Sequence, residues 1–282
     1  MELNTRTVYS SYLQTCLLSE LPFELKPYTT LNERFNIQSG VQPVVGEMPK
    51  LGYMAIGNGG HKMVVGAGGL TKPEPIQHLA TDACAYNPLP FVLRLPTEDL
   101  TPVERANYAL RKEVIYSGTT YVGYYLRRID FTGVLASMEL RTVGDDGTTT
   151  VTPFVPDNSN LNPVPQDVDS SGVNLTTGQY VSASAKVAIE ITPWEVSELT
   201  NVAKVMYDDE DFAIISEIEL VTALDKMVSV SGPSGSFNFN EVIAAQVASH
   251  IAAFYPVRFS QQGLQIYLDI GASEPLWKLA GN

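Results

Sequence analysis

Three histidines, two cysteines, one carboxylate run and two glycine-dense turns are the residues of this chain whose types could do chemistry. His61, His78 and His250 are the whole histidine complement. They stand too far apart for a local metal motif such as H-E-x-x-H, in which two imidazoles share one helix face. Cys16 and Cys84 form no CxxC pair and cannot build a disulfide framework, so both read as packed thiols. Asp208-Asp209-Glu210-Asp211 gathers four acids but lacks the alternate spacing and central glycine of a calcium loop, and it reads as a solvated turn.

Gly57-Asn58-Gly59-Gly60-His61-Lys62 invites a phosphate-binding reading, because glycine backbones let an anion approach closely. The P-loop pattern requires glycine before the lysine and Ser or Thr after it; here the neighbours of Lys62 are His61 and Met63. Gly66-Ala67-Gly68-Gly69 misses the dinucleotide pattern at Thr71. Tight turns needing positive φ account for both. Ser234 and the two thiols have no G-x-S-x-G or Cys/His context, so no covalent nucleophile stands out. The expectation is that the chain has no catalytic, cofactor-binding or metal-binding residues and is not an enzyme.

Composition points the same way. The 282 residues are 44% hydrophobic and only 17% charged, below the quarter or so usual for a soluble domain. Surfaces that contact other subunits lose Lys, Glu and Asp in this manner, and a β-rich domain with many Ser, Thr, Asn and Gly residues on its surface gives the same composition. The net charge of −13, from 31 acidic and 18 basic residues, argues against a nucleic-acid groove, which needs clustered cations. No apolar run approaches the roughly 18 residues of a membrane span, and the first residues lack a signal-peptide pattern.

The elements that must position these residues predict an α+β architecture, mostly antiparallel β-sheet with about three helices and an extended N-terminal arm. Residues 1–50 are expected to be that arm, with a short amphipathic helix over Thr7–Glu20 followed by Pro22, Pro27, Pro43 and Pro49. Residues 51–282 are expected to form one α+β structural domain. Strands are predicted at Tyr53–Ile56, Lys62–Val65, Phe91–Leu95, 119–131, Val134–Val143, Thr148–Val155, Tyr180–Thr192, 212–230 and Gln265–Ile270. Gly144-Asp145-Asp146-Gly147 is a hairpin signal. Thr101-Pro102-Val103-Glu104 predicts a helix start running to about Val114, and Thr192-Pro193-Trp194-Glu195 one running to about Tyr207. Ile243, Val247, Ile251 and Phe254 predict a third helix, from Asn238 to about Phe254. The stretch 156–179 is a long polar loop of the kind that is functional or ordered by a partner.

Three segments resemble the N-terminal attachment domain of tailed-bacteriophage tail fibres and related baseplate-associated proteins. Ala55-Ile56-Gly57-Asn58-Gly59 is similar to that family's A-[VI]-G-[DN]-G turn. Leu89–Arg94 resembles its leucine-led segment closing on arginine, and Ile215-Ser216-Glu217-Ile218-Glu219-Leu220 its I-x-E-[IV]-G-L strand. Glu219 stands where the family has glycine, the stretch between the second and third motifs is longer than usual, and no fibrous segment follows. The resemblance implies a virion structural protein of the tail, baseplate or neck, synthesised in the host cytoplasm. It implies a ring-like homo-oligomer partnered by other virion proteins, with neither nucleic acid nor membrane. A β-rich carbohydrate-binding or glycan-hydrolysing protein, with its site on exposed Tyr, Trp and Asp of the loops, is the alternative.

Overall fold

The computed structural model describes residues 2–144, 146–161, 179–232, 235–259 and 263–276. In chain order its elements are β1 (Leu3–Arg6), α1 (Val8–Ser19), α2 (Leu31–Phe35), β2 (Lys50–Gly57), β3 (His61–Val65), β4 (Thr71–Pro75), β5 (Pro88–Leu89), β6 (Val92–Arg94), α3 (Pro102–Arg105), β7 (Tyr108–Tyr116), β8 (Thr119–Arg128), β9 (Ala136–Val143), β10 (Thr149–Pro153), α4 (Asn158–Leu161), β11 (Gln179–Ile191), α5 (Pro193–Tyr207), β12 (Ile214–Gly232), β13 (Gly235–Pro256) and β14 (Leu264–Pro275). The protein is mostly antiparallel sheet with helices. It divides into two compact units, one of Met1–Asp130 and Glu190–Leu264, the other of Phe131–Ile189 and Gln265–Asn282.

The first unit is built on a sheet in the order β1-β13-β12-β2-β8-β6, with β5 added to β2 and β7 to β8. Its central strand β2 has five consecutive buried residues, Tyr53 to Gly57, because both of its faces are covered; a half-exposed strand would alternate. Leu31, Phe35, Tyr53, Leu110, Leu126, Val221 and Val247 pack together as its core. Residues 1–50, expected as an extended arm, lie within this unit. β1 pairs with β13, and the Thr7 hydroxyl, which caps α1 through Ser10 N, donates to Val247 O at 2.6 Å. Helix α5 follows the predicted start, with a capping box between Thr192 and Glu195 and Pro193 in the first turn. It docks through Glu198, which accepts from Arg94 Nε at 3.1 Å, and through Asn201, which donates to Leu93 O at 2.9 Å.

Two predicted helices are strands. Asn238–Phe254 lies inside β13, which pairs with β12 over its whole length from Pro256 to Gly235. Thr101 does open a helix with a complete capping box, but α3 stops after one turn, and β7 takes over at Tyr108. Both strands carry a residue in left-handed backbone conformation, Leu110 at φ 53° and Ala244 at φ 57°. Near Ala244 the register with β12 shifts, a bulge that slips the inward-outward alternation and leaves a spacing that mimics a helix, whereas the register of β7 with β8 runs unbroken past Leu110. A buried polar side chain braces each position. Glu241 accepts from Leu110 N at 2.6 Å and Val242 N at 3.1 Å. Asn32 accepts from Ala245 N at 2.9 Å and donates to Val242 O at 2.8 Å.

The second unit carries a sheet in the order β10-β9-β11-β14. The predicted hairpin is its β9–β10 corner: Gly147 takes φ 80°, Gly144 N donates to Thr148 O at 2.8 Å, and Val143 pairs with Thr149. Its side chains are tied by Glu139, which accepts from Lys186 at 2.6 Å and from Arg141 at 3.3 Å, and by Arg141 with Asp269. The Ser182 and Ser273 hydroxyls meet at 2.6 Å. Of the polar loop predicted at 156–179, residues 162–178 lie outside the described residues, as does Ser234.

Candidate functional site

Two of the three motif segments are neighbours in the sheet. β2 and β12 run antiparallel with Gly57 opposite Glu217, Ile56 opposite Ile218 and Ala55 opposite Glu219; Leu89 of the third segment pairs with Ile56 from the other side. Glu217, on β12, points away from solvent with 1% of its side chain exposed. Its carboxylate takes four donors. Oε1 accepts from Tyr86 N at 2.7 Å and faces His78 Nε2 at 2.9 Å, while Oε2 accepts from Gly59 N at 2.8 Å and Asn87 N at 3.3 Å.

The glycines of the turn now have a different reason from the one expected. Gly57, Gly59 and Gly60 do not adopt positive φ; only the turn at Gly68 and Gly69 does, at 85° and 78°. They are glycines because the chain passes too close. A Cβ on Gly57 would run into Glu217 Oε2 and lie 2.7 Å from Asn87 O, and one on Gly59 would lie 2.8 Å from Tyr86 Cβ. On Gly60 it would strike Ser216 O and Glu217 Cγ. Asn58 completes the turn through Asn87 Nδ2 and the Tyr207 hydroxyl at the end of α5.

His78 lies in the segment between β4 and β5 and is fixed on all sides. Its Nδ1 is 3.0 Å from Asp82 Oδ2, and Asp82 Oδ2 also accepts from Leu79 N at 2.9 Å. One face of the ring stacks on Tyr86 and the other on His250, each at 4.0 Å and 9°. Burial works to lower the pKa of His78, but its hydrogen bonds to Glu217 and Asp82 outweigh this and leave it raised. For Glu217, burial works upward, yet the bonds from His78, Tyr86, Gly59 and Asn87 hold it below the usual carboxylate range. Both shifts favour the form of the pair in which imidazolium faces carboxylate.

A second acid and histidine lie beside the first. His250 Nε2 is 3.1 Å from Asp82 O, and its Nδ1 lies 3.2 Å from Glu219 Oε1, near enough to pair but poorly aligned for a hydrogen bond. Burial pushes the Glu219 carboxyl up, against the opposing pull of His250. The departure from the motif glycine is thus filled by a carboxyl that favours its neutral form.

The cluster holds chain segments together through Glu217, His78 and Asp82. Both nitrogens of His78 face carboxylates, so no lone pair is free to accept a proton or bind a metal. Among the described residues no group of three His, Cys, Asp or Glu is placed to hold a metal ion. A groove of about 570 Å³ beside the cluster is lined by Tyr28, Arg34, Asp82, Cys84 and Tyr86. Burial raises the Cys84 thiol, which makes it a weak nucleophile. His61 is separate from the pair of histidines and meets Phe254 edge-on at 4.8 Å. Asp208–Asp211 is a turn: Asp208 ends α5 in left-handed conformation with φ 56°, and Asp211 pairs with Arg258.

Sequence reasoning found the three segments but missed the histidines. The 139 positions separating His78 from Glu217 carry no spacing signal. The only hint was the pair Glu217 and Glu219 recurring on one face of an otherwise apolar strand.

This is an α+β protein organised around a buried carboxylate–histidine cluster. The chain belongs to DUF7208, a family of unknown function, whose model matches residues 1–281. No curated protein and no solved structure matches it. Among the described residues no helix is long and apolar enough to cross a membrane.

Proposed function

We propose that the chain is a structural subunit of a tailed-bacteriophage virion, in the tail, baseplate or neck, working by assembly with copies of itself and with other virion proteins, not by catalysis. One observation carries this reading. The three segments that resemble the phage attachment domain, scattered from residue 55 to residue 220, lie side by side, and the motif glutamate Glu217 hydrogen-bonds to the motif turn at Gly59. A chance likeness of short strings gives no reason for the strings to depend on one another. Here the glutamate and the glycines fit only as a set.

Residues 1–50 supply a contact surface in this reading. Leu17, Leu18, Leu21, Tyr28, Val44 and Val45 are exposed apolar side chains there, and apolar surface of this kind is what neighbouring subunits cover. The ring-like oligomer and the virion location belong to the same proposal. The test is the native mass of the purified chain together with glycan binding and glycosidase turnover. A threefold or sixfold oligomer supports assembly; a monomer that binds or cleaves glycans favours the carbohydrate-active alternative.

A further inference from the structure

The segment from Ile76 to Asn87 joins β4 to β5 without helix or strand, so it has no ladder of its own and stays in place by what it touches. Its backbone contacts are scattered: Ile76 N to Gly60 O at 2.8 Å, Val8 N to Ala80 O at 2.8 Å, and Asn58 N to Asn87 O at 3.0 Å. The Tyr9 hydroxyl reaches Thr81 O at 2.6 Å. At its centre His78 is inserted between the Tyr86 and His250 rings with a carboxylate at each nitrogen.

We propose that His78 is a proton-controlled latch, which docks residues 76–87 onto β12 and β13 while its imidazole carries both N–H groups and releases them when it loses one. The geometry requires both protons. Glu217 Oε1 already accepts from Tyr86 N, and Asp82 Oδ2 from Leu79 N, so both acids are placed as acceptors. A neutral imidazole has one N–H; its other nitrogen would then turn a lone pair toward a carboxylate oxygen about 3 Å away, on a ring that is only 1% exposed. The latch is independent of the virion reading.

Among the described residues, the titratable groups that face the ring come from β12, β13 and its own segment. From β12 it meets Glu217, with Glu219 behind; from β13, His250; from its own segment, Asp82 and Tyr86. Tyr9 from α1 acts on Asp82, His61 from β3 on Glu217, and Cys84, beside Arg34, on both Glu217 and Glu219. Because the pKa of His78 is raised above 6.5, the latch is fully closed below that pH and opens as pH rises through the folded-state value. The released residues include Asp82 to Tyr86, which line the groove of about 570 Å³, so opening remodels that groove.

Hydrogen exchange across a pH series, corrected for the intrinsic rise in exchange with pH, tests the latch. Protection of amides 78–87 is expected to fall by up to about tenfold per pH unit from about pH 6.5 to the folded-state value and to level off above it, while the amides of 217–221 in β12 keep theirs. Asp82→Asn, at the more exposed end of the pair, should move the transition down by about one unit. Nitrogen NMR of His78 should show both ring nitrogens protonated at pH 6. A singly protonated ring at pH 6, or loss of protection in 78–87 only together with 217–221, overturns the proposal. So does an Asp82→Asn transition unchanged in pH.

Discussion

Glu217 Oε1 lies 2.9 Å from His78 Nε2, with both side chains 1% exposed, and Glu219, two residues along the same strand and equally buried, faces His250 instead. Their surroundings shift the two carboxyls in opposite directions. Glu217 stays ionised because donors surround it, whereas burial favours the neutral form of Glu219. Amide substitution separates them. Glu217→Gln puts an NH2 group among donors and removes the more buried of the two carboxylates that face His78, which is expected to cost about 3–5 kcal/mol. Glu219→Gln replaces a carboxyl that favours its neutral form with a neutral amide and is expected to cost less than about 1 kcal/mol. Urea unfolding midpoints of the two variants check the contrast.

The pH dependence of stability follows with opposite signs at the two acids. The Glu217 pKa is lowered, so its contribution is complete above about 4.5 and is lost as pH falls through the folded-state value. The Glu219 pKa is raised, so its contribution is complete below about 4.5 and is lost as pH rises through its own folded-state value. Thermal melts of the wild type and Glu219→Gln should therefore diverge in the variant's favour as pH rises. A difference independent of pH contradicts the assignment.

The turn glycines should be sensitive by contact, not by backbone angle. Gly57→Ala and Gly59→Ala force a Cβ onto Glu217 and Tyr86, an overpacking expected to cost about 1–3 kcal/mol. Gly52→Ala, in the same strand with its nearest neighbour atom at 4.0 Å, should change stability by less than about 0.5 kcal/mol. Denaturant midpoints of the three proteins decide this.

Asn32 joins α2 to the bulge of β13 through Ala245 N, Val242 O and Ile37 O, the last at 3.0 Å. Asn32→Ala leaves these backbone groups unpaired in the core, at a cost expected near 2 kcal/mol. Hydrogen exchange should report the loss first at Ala245. Uniform weakening across the sheet would mean that the bulge does not depend on this side chain.

Much of the fold was legible because most elements obey a single period. Alternation marked β11 and β12, aromatic and β-branched residues marked β8, helical spacing of apolar residues marked α1, and capping residues marked α5. The two failures have different physical sources. In β13 the residues from Glu241 to Val247 are all buried, so a two-sided central strand with a bulge at Ala244 lost its alternation and presented apolar residues at helical intervals. At β7 the capping box before it was real but governed a single turn, and the chain passed into strand at Tyr108. The site was legible only in its glycines and in Glu217. His78 and His250 are brought together by the pairing of β12 with β13 and the path of residues 76–87, which no local spacing encodes.

The central claim is assembly into a phage particle. Density-gradient fractionation of the native source, followed by mass spectrometry of each fraction, tests it most directly. The chain is predicted to sediment with intact tailed particles at a fixed ratio to the other virion proteins. Recovery only as a free protein of 30.8 kDa at the top of the gradient, with particles present and the chain absent from them, would contradict it.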